Sequence, residues 1–404
     1  MRIVHIGYFY GERNTGGAAI AATRLHRALR SAGVDSIFVC YTNTSPDDSS
    51  VVEFPPVGSL RRKWNELKVK SIRNLWRLLP GHKARSLHIV HTGIAEFVLR
   101  LKPDIVHVHW FTDECASLEE IKSIKCPIIM HLHDMWMLNA FDPYPHADRR
   151  YIDGFSKSNS RILERSLWRR KLNLVQSKDV AFIGPSNWVK GRADESAVAK
   201  GRRNFHVPYF QDDKFQFNKL LRSPHKMFRI LFGAYGGRSN SIKGFDDLVC
   251  ALKLLPKEMQ DKCEVLVFGE VAESYNVGDV SVGFLGVAKS AEQLVKFYHC
   301  ADIFAFPSRE ETWGQTKSEA LLCGLPVVAF DRTACAEGIE QGCTGWIAPD
   351  GDIDSFAQGI QHFFGLWSNG NLEASHSAIA RSARHCFDNT AVLSKLMNVY
   401  EAIA

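Results

Sequence analysis

Short apolar runs rich in β-branched residues alternate along this chain with segments of helix length. Continuous apolar runs of this kind are typical of strands in a parallel sheet that is covered by helices on both faces. Strands are predicted over residues 3–9, 36–41, 105–109, 128–133, 180–184, 229–233, 264–269, 282–285, 302–306 and 327–330. Helices are predicted over residues 18–32, 244–255, 291–300, 318–323 and 353–364. The alternation predicts an α/β fold of the doubly wound type.

The strand pattern stops at an irregular stretch, residues 207–213, and restarts near Phe228. A chain of 404 residues is long enough for about two domains. We therefore expect one Rossmann-like domain over 1–210, a second over 211–385, and a C-terminal helix over 386–404 that could cross back to the first. We expect the two domains to face one another across a cleft, with ligands outside the carboxyl ends of the strands.

Composition excludes several classes of protein. The chain is 45% hydrophobic and 23% charged, which is typical of a globular protein and unlike a disordered or collagen-like one. We see no apolar run of membrane-spanning length and no signal-peptide core. The ten cysteines form no C-x-x-C pair and mostly lie in apolar runs, which indicates buried, reduced thiols. We therefore expect a cytoplasmic protein.

The basic residues are unevenly distributed. The whole chain has a net charge of +6, which by itself points to no nucleic-acid partner. Nine basic residues and one acid lie between Arg61 and Arg85, so this segment holds the whole excess. Apolar residues recur in it every three or four positions, at Trp64, Leu67, Ile72, Leu75, Trp76 and Leu79. This spacing predicts an amphipathic helix with a basic face.

Three interpretations of residues 61–85 are open. The helix could pack on its own domain and expose a solvated basic face. It could lie on an anionic membrane surface, which would place the protein at the inner face of the cell membrane. It could also dock an acceptor or a partner protein.

A long motif follows the predicted strand 302–306. The strand ends at Pro307, a turn follows, and a helix starts near Thr316. A turn that leads into a helix presents unpaired N–H groups, which suit a phosphate or a carboxylate. Glu311 lies in the turn and Glu319 in the first turns of the helix, so their carboxylates could hydrogen-bond two hydroxyl groups of one ligand. Spacing alone also allows, and by itself favours, two solvated acids that stabilise the helix dipole.

With its flanking residues, the motif resembles the signature of retaining glycosyltransferases of family 4. That family has the GT-B fold and a Glu-x7-Glu motif framed by Pro-Ser and by small-Gly-x-Pro-Val, and Glu311 and Glu319 have this spacing and frame. The resemblance implies that Glu311 hydrogen-bonds the donor sugar and that Glu319 hydrogen-bonds the ribose of its nucleotide. It also implies donor-binding groups by the sugar and diphosphate at Ser308, Trp313, Gly314, Gln315 and Thr316.

Two shorter segments in the first half match the same family. Gly16 and Gly17 precede the first predicted helix, where the family's loop lies by the donor phosphates; without that context a simple turn explains them equally well. His133 ends a predicted strand, where the family's histidine faces the donor sugar, although a lone histidine at a strand end is more often structural. The chain has no G-x-G-x-x-G fingerprint and no G-K-[ST] sequence, so dinucleotide-binding and P-loop interpretations lack their key residues.

Two segments of the second half follow from the same resemblance. Lys243 begins the first long helix there, where a positive charge opposes the helix dipole unless it serves an anion. Arg238 lies five residues before it, and in the family such a pair clamps the diphosphate; an exposed lysine is the alternative. Phe284 and Leu285 lie in the segment that packs on the nucleotide base in the family.

The resemblance implies a retaining, hexosyltransferase-like enzyme that moves a sugar from a nucleotide diphosphate sugar to a hydroxyl acceptor. A lipid-linked or growing bacterial glycan, as in polysaccharide or lipopolysaccharide biosynthesis, is the expected acceptor. No metal or other cofactor is expected, because no Asp-x-Asp motif is placed at the end of a predicted strand. The alternatives are a nucleotide-sugar epimerase or hydrolase on the same fold and a non-catalytic glycan-binding subunit.

Overall fold

The computed structural model describes residues 1–12, 15–77, 86–111, 114–144, 148–233 and 236–404. The chain divides into two compact units, of which the first comprises Met1–Phe210 and Thr390–Ala404 and the second comprises Gln211–Asn389. Residues 78–85 of the basic segment lie outside the described residues, as do Ala234 and Tyr235 after the strand predicted over 229–233.

The first unit is built on a seven-stranded sheet. Its strands are β1 (Arg2–Tyr10), β2 (Asp35–Asn43), β3 (Val51–Glu53), β4 (Ile105–Val108), β5 (Ile128–His131), β6 (Val180–Gly184) and β7 (Asn204–His206). They follow the order β3-β2-β1-β4-β5-β6-β7, and every neighbouring pair is parallel. β4, β5 and β6 are buried at every residue, as continuous apolar strands under two helical layers should be. The helices are α1 (Gly17–Ser31), α2 (Leu60–Arg77), α3 (Ile94–Arg100), α4 (Leu118–Ser123), α5 (Arg150–Asp153), α6 (Ile162–Ser177) and α7 (Asn187–Glu195).

The second unit repeats this plan. Its strands are β8 (Phe228–Gly233), β9 (Cys263–Phe268), β10 (Tyr275–Val277), β11 (Val280–Gly286), β12 (Ile303–Phe306), β13 (Val327–Phe330) and β14 (Gly345–Ala348). The order is β10-β11-β9-β8-β12-β13-β14, with only the β10–β11 pair antiparallel among the described strands. The helices are α8 (Phe245–Lys253), α9 (Lys257–Gln260), α10 (Ala291–His299), α11 (Gln315–Leu322), α12 (Ile353–Ser368) and α13 (Asn371–Cys386). Each unit is a Rossmann-like α/β domain, as predicted.

The last helix, α14 (Asn389–Ile403), belongs to the first unit although it follows the second in the chain. Its apolar face, with Leu396 and Tyr400, is buried in the same cluster as Ile3 and Leu25. The helix begins at Asn389 and not at the predicted residue 386, because Cys386 ends α13. Among the described residues, no helix combines the length and the hydropathy that crossing a bilayer requires.

All ten predicted strands are present, with bounds that differ by at most two residues. The boundary difference that matters most for the predicted site is at β5. This strand was predicted to end at His133 but ends at His131, so His133 lies in the following loop. The strands that the sequence did not predict are β3, β7, β10 and β14, which are the four edge strands. They have three or four residues each, so they lack the long apolar runs that mark the central strands.

Candidate functional site

Apart from Phe284 and Leu285 of β11, the predicted donor-site residues of the second unit follow the carboxyl ends of β8 and β12. These strands are parallel neighbours in the middle of the sheet although β9, β10 and β11 separate them in the chain. The chain leaves β8 toward one side of the sheet and returns to β12 on the other, which makes this position a topological switch point. Ligands of open α/β sheets bind at such points because two loops diverge there.

The loop after β8 ends in two 3-10 turns, Gly237–Ser239 and Ser241–Lys243. Lys243 was predicted to begin the helix, but it lies two residues before it, because α8 starts at Phe245. The intervening Gly244 has a φ of 70°, and a Cβ at this position would collide with the carbonyl oxygen of Pro307. Glycine is required at this point, and its close approach brings the two loops together.

The loop after β12 is bonded to the loop after β8. The backbone N–H of Arg309 donates to the carbonyl oxygen of Ile242 at 2.7 Å. The guanidinium of Arg309 donates to both carboxylate oxygens of Asp247, at 2.8 and 2.9 Å. These bonds place Lys243 against Glu311, with 2.5 Å between Lys243 Nζ and Glu311 Oε1. Two predicted site residues from separate segments of the sequence thus form one ion pair.

The two glutamates of the motif are both buried. The side chain of Glu311 is 11% exposed, and its backbone N–H donates to Thr333 Oγ1 at 3.0 Å. Glu319 lies inside α11 and is 4% exposed, with its Oε2 accepting from the Tyr298 hydroxyl at 3.1 Å. Surface acids that only stabilise a helix dipole would be solvated. The structure therefore removes that interpretation of the motif.

The remaining residues of the motif lie in the loop after β12 and at the start of α11. Gly314, with a φ of 84°, precedes α11, so that helix begins at Gln315. Ser308 and Trp313 are buried, whereas Gln315 and Thr316 are half-buried at the helix start. Ser308 and Glu311 thus lie in the loop, and α11 begins four residues after Glu311.

Lys317 is a supporting residue that the sequence reasoning did not select. Its side chain is fully buried in α11, and its Nζ donates to the carbonyl oxygens of Ala334 at 2.9 Å and Glu337 at 2.6 Å. Burial lowers the pKa of Lys317 to about 8. The bonds hold the segment after β13 that also supplies Thr333 to Glu311. The local sequence gave no signal for it, because α11 carries four other polar residues.

Arg238 lies apart from the ion pair formed by Lys243. Its guanidinium pairs with Glu270, with 2.5 Å between Nε and Oε1. The same group lies over the ring of Phe284, 4.7 Å from its centroid. Phe284 and Leu285 belong to β11, where the register with β9 shifts after Phe284. The structure thus brings Arg238 to the residues predicted for the base.

In the first unit, Gly16 and Gly17 lie where β1 leads into α1. Gly16 has a φ of 82° and precedes the helix, which begins at Gly17. β1 neighbours both β2 and β4, so this loop is at the switch point of the first sheet.

His133 is buried two residues beyond β5, and both of its ring nitrogens are hydrogen-bonded. Its Nε2 lies 3.0 Å from His109 Nδ1, and its Nδ1 lies 2.7 Å from the Tyr209 hydroxyl. Burial lowers the pKa of His133 well below its usual value, so the ring is neutral. These contacts match the structural interpretation of a histidine at a strand end.

His133 belongs to a cluster of buried histidines that the sequence analysis did not identify. His5, His107, His109 and His131 are the others that line the centre of the first sheet. The signal was a repeated His-x-His at the ends of two neighbouring strands, residues 107–109 and 131–133.

Two triads of this cluster, His5–His107–His109 and His109–His131–His133, bring ring nitrogens close enough for a metal ion. In the second triad the rings are oriented against it. The rings of His131 and His133 stack with centroids 4.4 Å apart and planes 5° apart. An imidazole lone pair lies in the plane of its ring, and two parallel planes share no point at which an ion could sit. These two histidines cannot ligate one ion without rotating.

The basic helix α2 packs in an unexpected orientation. Its polar side faces the unit: Arg62 pairs with Glu53 at 2.9 Å, and Asn65 is 3% exposed. Its apolar stripe faces outward, because Leu60 is 75%, Trp64 63% and Leu67 55% exposed. Of the predicted stripe, Trp64 and Leu67 therefore do not pack on the domain, whereas Ile72 is half-buried.

The chain matches two family models. One, described as Glycosyltransferase Family 4, covers residues 15–202, and the other, Glycosyl transferases group 1, covers residues 228–381. Together they cover every predicted site residue and all of the second sheet, and in the first sheet they leave out β1 and β7.

The chain is also similar to named proteins. It is 26% identical over 188 residues to the capsular polysaccharide biosynthesis glycosyltransferase CapM of Staphylococcus aureus, covering 44% of this chain and 48% of that protein. It is 30% identical to a phosphatidyl-myo-inositol mannosyltransferase of Mycobacterium leprae, covering 68% and 74%. The match thus spans about half the length of the first relative and three quarters of the second. The fold matches Anabaena HepE in complex with UDP, with a TM-score of 0.63, 16% identity and 100% of both chains covered.

Proposed function

The chain belongs to glycosyltransferase family 4, and on that premise we propose that it transfers a sugar from a nucleoside diphosphate sugar to a hydroxyl acceptor with retention of anomeric configuration. The observation that carries the proposal is the Lys243–Glu311 ion pair at the switch point of the second sheet. It combines a cation for a leaving diphosphate with a carboxylate for a sugar hydroxyl.

Bond breaking at the anomeric carbon puts negative charge on the leaving diphosphate and positive charge on the sugar. Lys243 stabilises the first charge, because a fixed cation acts most strongly where charge develops in the reaction. Arg238 assists it when the donor draws the guanidinium away from Glu270. The N-terminus of α11, at Gln315 and Thr316, adds backbone N–H groups to the same diphosphate.

Glu311 and Glu319 recognise hydroxyl groups of the donor. Without a donor, Glu311 neutralises Lys243; with one, Lys243 turns to phosphate and Glu311 accepts from the sugar. Glu319 accepts from the ribose, and Phe284 and Leu285 contact the base. The reaction requires no divalent cation in this scheme, because Lys243 and Arg238 supply the positive charge. The donor-facing roles of Gly16, Gly17 and His133 stay predictions.

The acceptor we propose is a lipid-linked or growing bacterial glycan. CapM is named for capsular polysaccharide biosynthesis and the mycobacterial relative for phosphatidyl-myo-inositol, so both similar proteins act in glycan or glycolipid synthesis. A sugar acceptor distinguishes this proposal from an epimerase or hydrolase, which would consume the donor with no acceptor present.

Nucleotide binding gives the first test. UDP is the first ligand to try, followed by GDP and ADP, since HepE was solved with UDP. A diphosphate at 100 times its dissociation constant stabilises the folded protein by about 2.7 kcal/mol. We expect one of the three to raise the melting temperature by several degrees, and Lys243→Ala to reduce that shift. Lys253→Ala, which removes an exposed lysine from α8, is the matched control.

Transfer itself is measured as nucleotide release that requires a glycan acceptor. Release at the same rate without acceptor would identify a hydrolase.

We further propose that α2 lies on an anionic membrane surface. Its exposed Leu60, Trp64 and Leu67 would insert among the lipid head groups, and Lys63, Lys68 and Lys70 on the exposed helix would meet the anionic charge. A groove of about 520 Å³ lined by Trp64, Leu67 and Ile89 adjoins the stripe. The outward orientation of an apolar stripe on a basic helix supports this interpretation over a solvated basic face.

Vesicle binding tests the membrane proposal. Each cation near an anionic surface contributes about 1 kcal/mol, so replacing Lys63, Lys68 and Lys70 by Gln should lower partitioning onto phosphatidylserine vesicles about 100-fold. Replacing the exposed Lys253, Lys262 and Lys289 of the second unit by Gln removes the same charge and is the control. Equal losses in the two triple variants would show attraction by net charge alone and would contradict docking through α2.

A further inference from the structure

The buried polar groups of the first unit form one continuous chain of hydrogen bonds through the sheet. In spatial order the chain joins Asp48, Ser50, His26, Ser36, His5, His109, His133 and Tyr209. The successive N or O atoms lie 2.5, 2.8, 2.7, 3.0, 3.0, 3.0 and 2.7 Å apart. One end is the half-exposed Asp48, and the other is the buried pair His133 and Tyr209.

The carboxylate of Asp48 gives this chain a direction. A carboxylate only accepts, so the Ser50 hydroxyl must donate to it and can only accept from His26 Nε2. A neutral imidazole has one donor and one acceptor nitrogen, so His26 Nδ1 must then accept from the hydroxyl of Ser36. The same rule passes along the chain.

From Ser36 onward the donor and acceptor atoms of each group are fixed in the same way. The Ser36 oxygen accepts from His5 Nε2, His5 Nδ1 accepts from His109 Nε2, and His109 Nδ1 accepts from His133 Nε2. His133 Nδ1 is left as an acceptor for the Tyr209 hydroxyl. All donors point toward Asp48, and His133 is fixed as the tautomer with its proton on Nε2.

The chain requires uncharged rings, because an imidazolium has two donors and no acceptor. Burial lowers the pKa of His5, His109 and His133 well below the usual histidine value, and it lowers the pKa of His26 to about 4. Burial alone would raise the pKa of Asp48, but hydrogen bonds from Ser50 and Tyr10 lower it below its usual value. The acceptor at one end is therefore charged while the rings stay neutral.

We propose that Asp48 is a positioning residue that fixes the tautomer and orientation of His133 through this chain. Its effect on catalysis rests on the proposed function and on the prediction that His133 faces the donor. The tautomer of His133 rests on neither, because it follows from the hydrogen bonds alone. His133 then contributes to the site as a rigid neutral ring, not as an acid or base that exchanges protons with substrate.

The test is the ring ¹⁵N spectrum of histidine-labelled protein, with the His133 signals assigned by His133→Gln. Wild-type protein should show a protonated Nε2 and an unprotonated Nδ1 for His133. Asp48→Ala releases the Ser50 hydroxyl, so both directions of the chain become possible and the His133 signals should shift toward a mixture of tautomers. Asp47→Ala, which removes an exposed neighbouring carboxylate, should leave them unchanged. Ser50→Ala breaks the same link and serves if Asp48→Ala does not fold.

Kinetics separate the parts of the proposal. We expect Asp48→Ala to lower kcat/KM roughly 10-fold, the scale of losing a residue that orients a site group, with Asp47→Ala at the wild-type value. If both Asp48→Ala and Ser50→Ala keep the single wild-type tautomer of His133, the proposal that Asp48 fixes this tautomer through the hydrogen bonds is wrong. A mixed tautomer with unchanged kinetics overturns the positioning role. If the wild-type protein shows the Nε2 tautomer but no transferase activity, the proposed function is wrong while the hydrogen-bonded arrangement of His133 is confirmed.

Discussion

Replacing Lys243 by Ala is expected to lower the rate of sugar transfer about 100-fold or more while the protein stays folded. Removing one fixed electrostatic contact to a developing charge costs this much in other enzymes. The folded state should tolerate the change, because the Lys243 side chain is 22% exposed and water can reach the freed carboxylate of Glu311. Initial rates at saturating donor and acceptor measure the effect.

The partner variant sharpens this expectation. Glu311→Ala should lower the rate of transfer by a similar factor. The double variant should lower the rate by less than the product of the two single factors, because the residues act on one donor as a contacting pair. Lys253→Ala, on the exposed face of α8, should keep the wild-type rate. A folded Lys243→Ala protein with near-normal transfer would remove Lys243 from the mechanism.

Acid is expected to unfold the first unit well above the pH at which ordinary carboxylates titrate. Seven of its described histidines are buried, and burial lowers the pKa of each: to about 4 for His26 and His88, to about 3 for His131, and well below the usual value for His5, His107, His109 and His133. In the unfolded chain these rings titrate near pH 6.5. Below that pH the unfolded state binds more protons than the native state, so stability falls as pH falls.

The expected slope is large. Each histidine kept neutral lowers the free energy of unfolding by at most about 1.4 kcal/mol per pH unit below 6.5, so the seven together lower it by at most about 10 kcal/mol per unit. Domains are stable by about 5–15 kcal/mol, which places unfolding near pH 5. The urea midpoint followed by near-ultraviolet circular dichroism should be steady above pH 7 and fall steeply between pH 6.5 and 5. His385→Asn, which replaces an exposed histidine, should leave the slope unchanged, whereas a flat midpoint down to pH 5 contradicts the account.

The sequence was sufficient for features that depend on local pattern. Central strands were predicted because each is a continuous apolar run, and Glu311 and Glu319 were found because their spacing lies within one loop and one helix. The Lys243–Glu311 contact joins residues 68 positions apart and depends on β8 lying beside β12. No local pattern contains that strand order.

Two other features show the same limit. The periodicity of α2 predicted an apolar stripe but not its direction, because that depends on Arg62 meeting Glu53 of β3, an edge strand that the sequence did not predict. The histidine chain needs β1, β2, β4 and β5 in their spatial order before His5 meets both Ser36 and His109. The repeated His-x-His at residues 107–109 and 131–133 marks the strand ends but does not show that His5 and His26 join them.

The membership of α14 in the first unit has a consequence for the order of folding during synthesis. The second unit is complete in the nascent chain once Asn389 has left the ribosome, whereas the first unit still lacks the helix that covers Ile3 and Leu25. The buried His107 also lacks one hydrogen-bond partner until then, because Tyr400 of α14 supplies the hydroxyl that lies 2.8 Å from His107 Nδ1. The unit that is translated first is therefore the unit that finishes folding last.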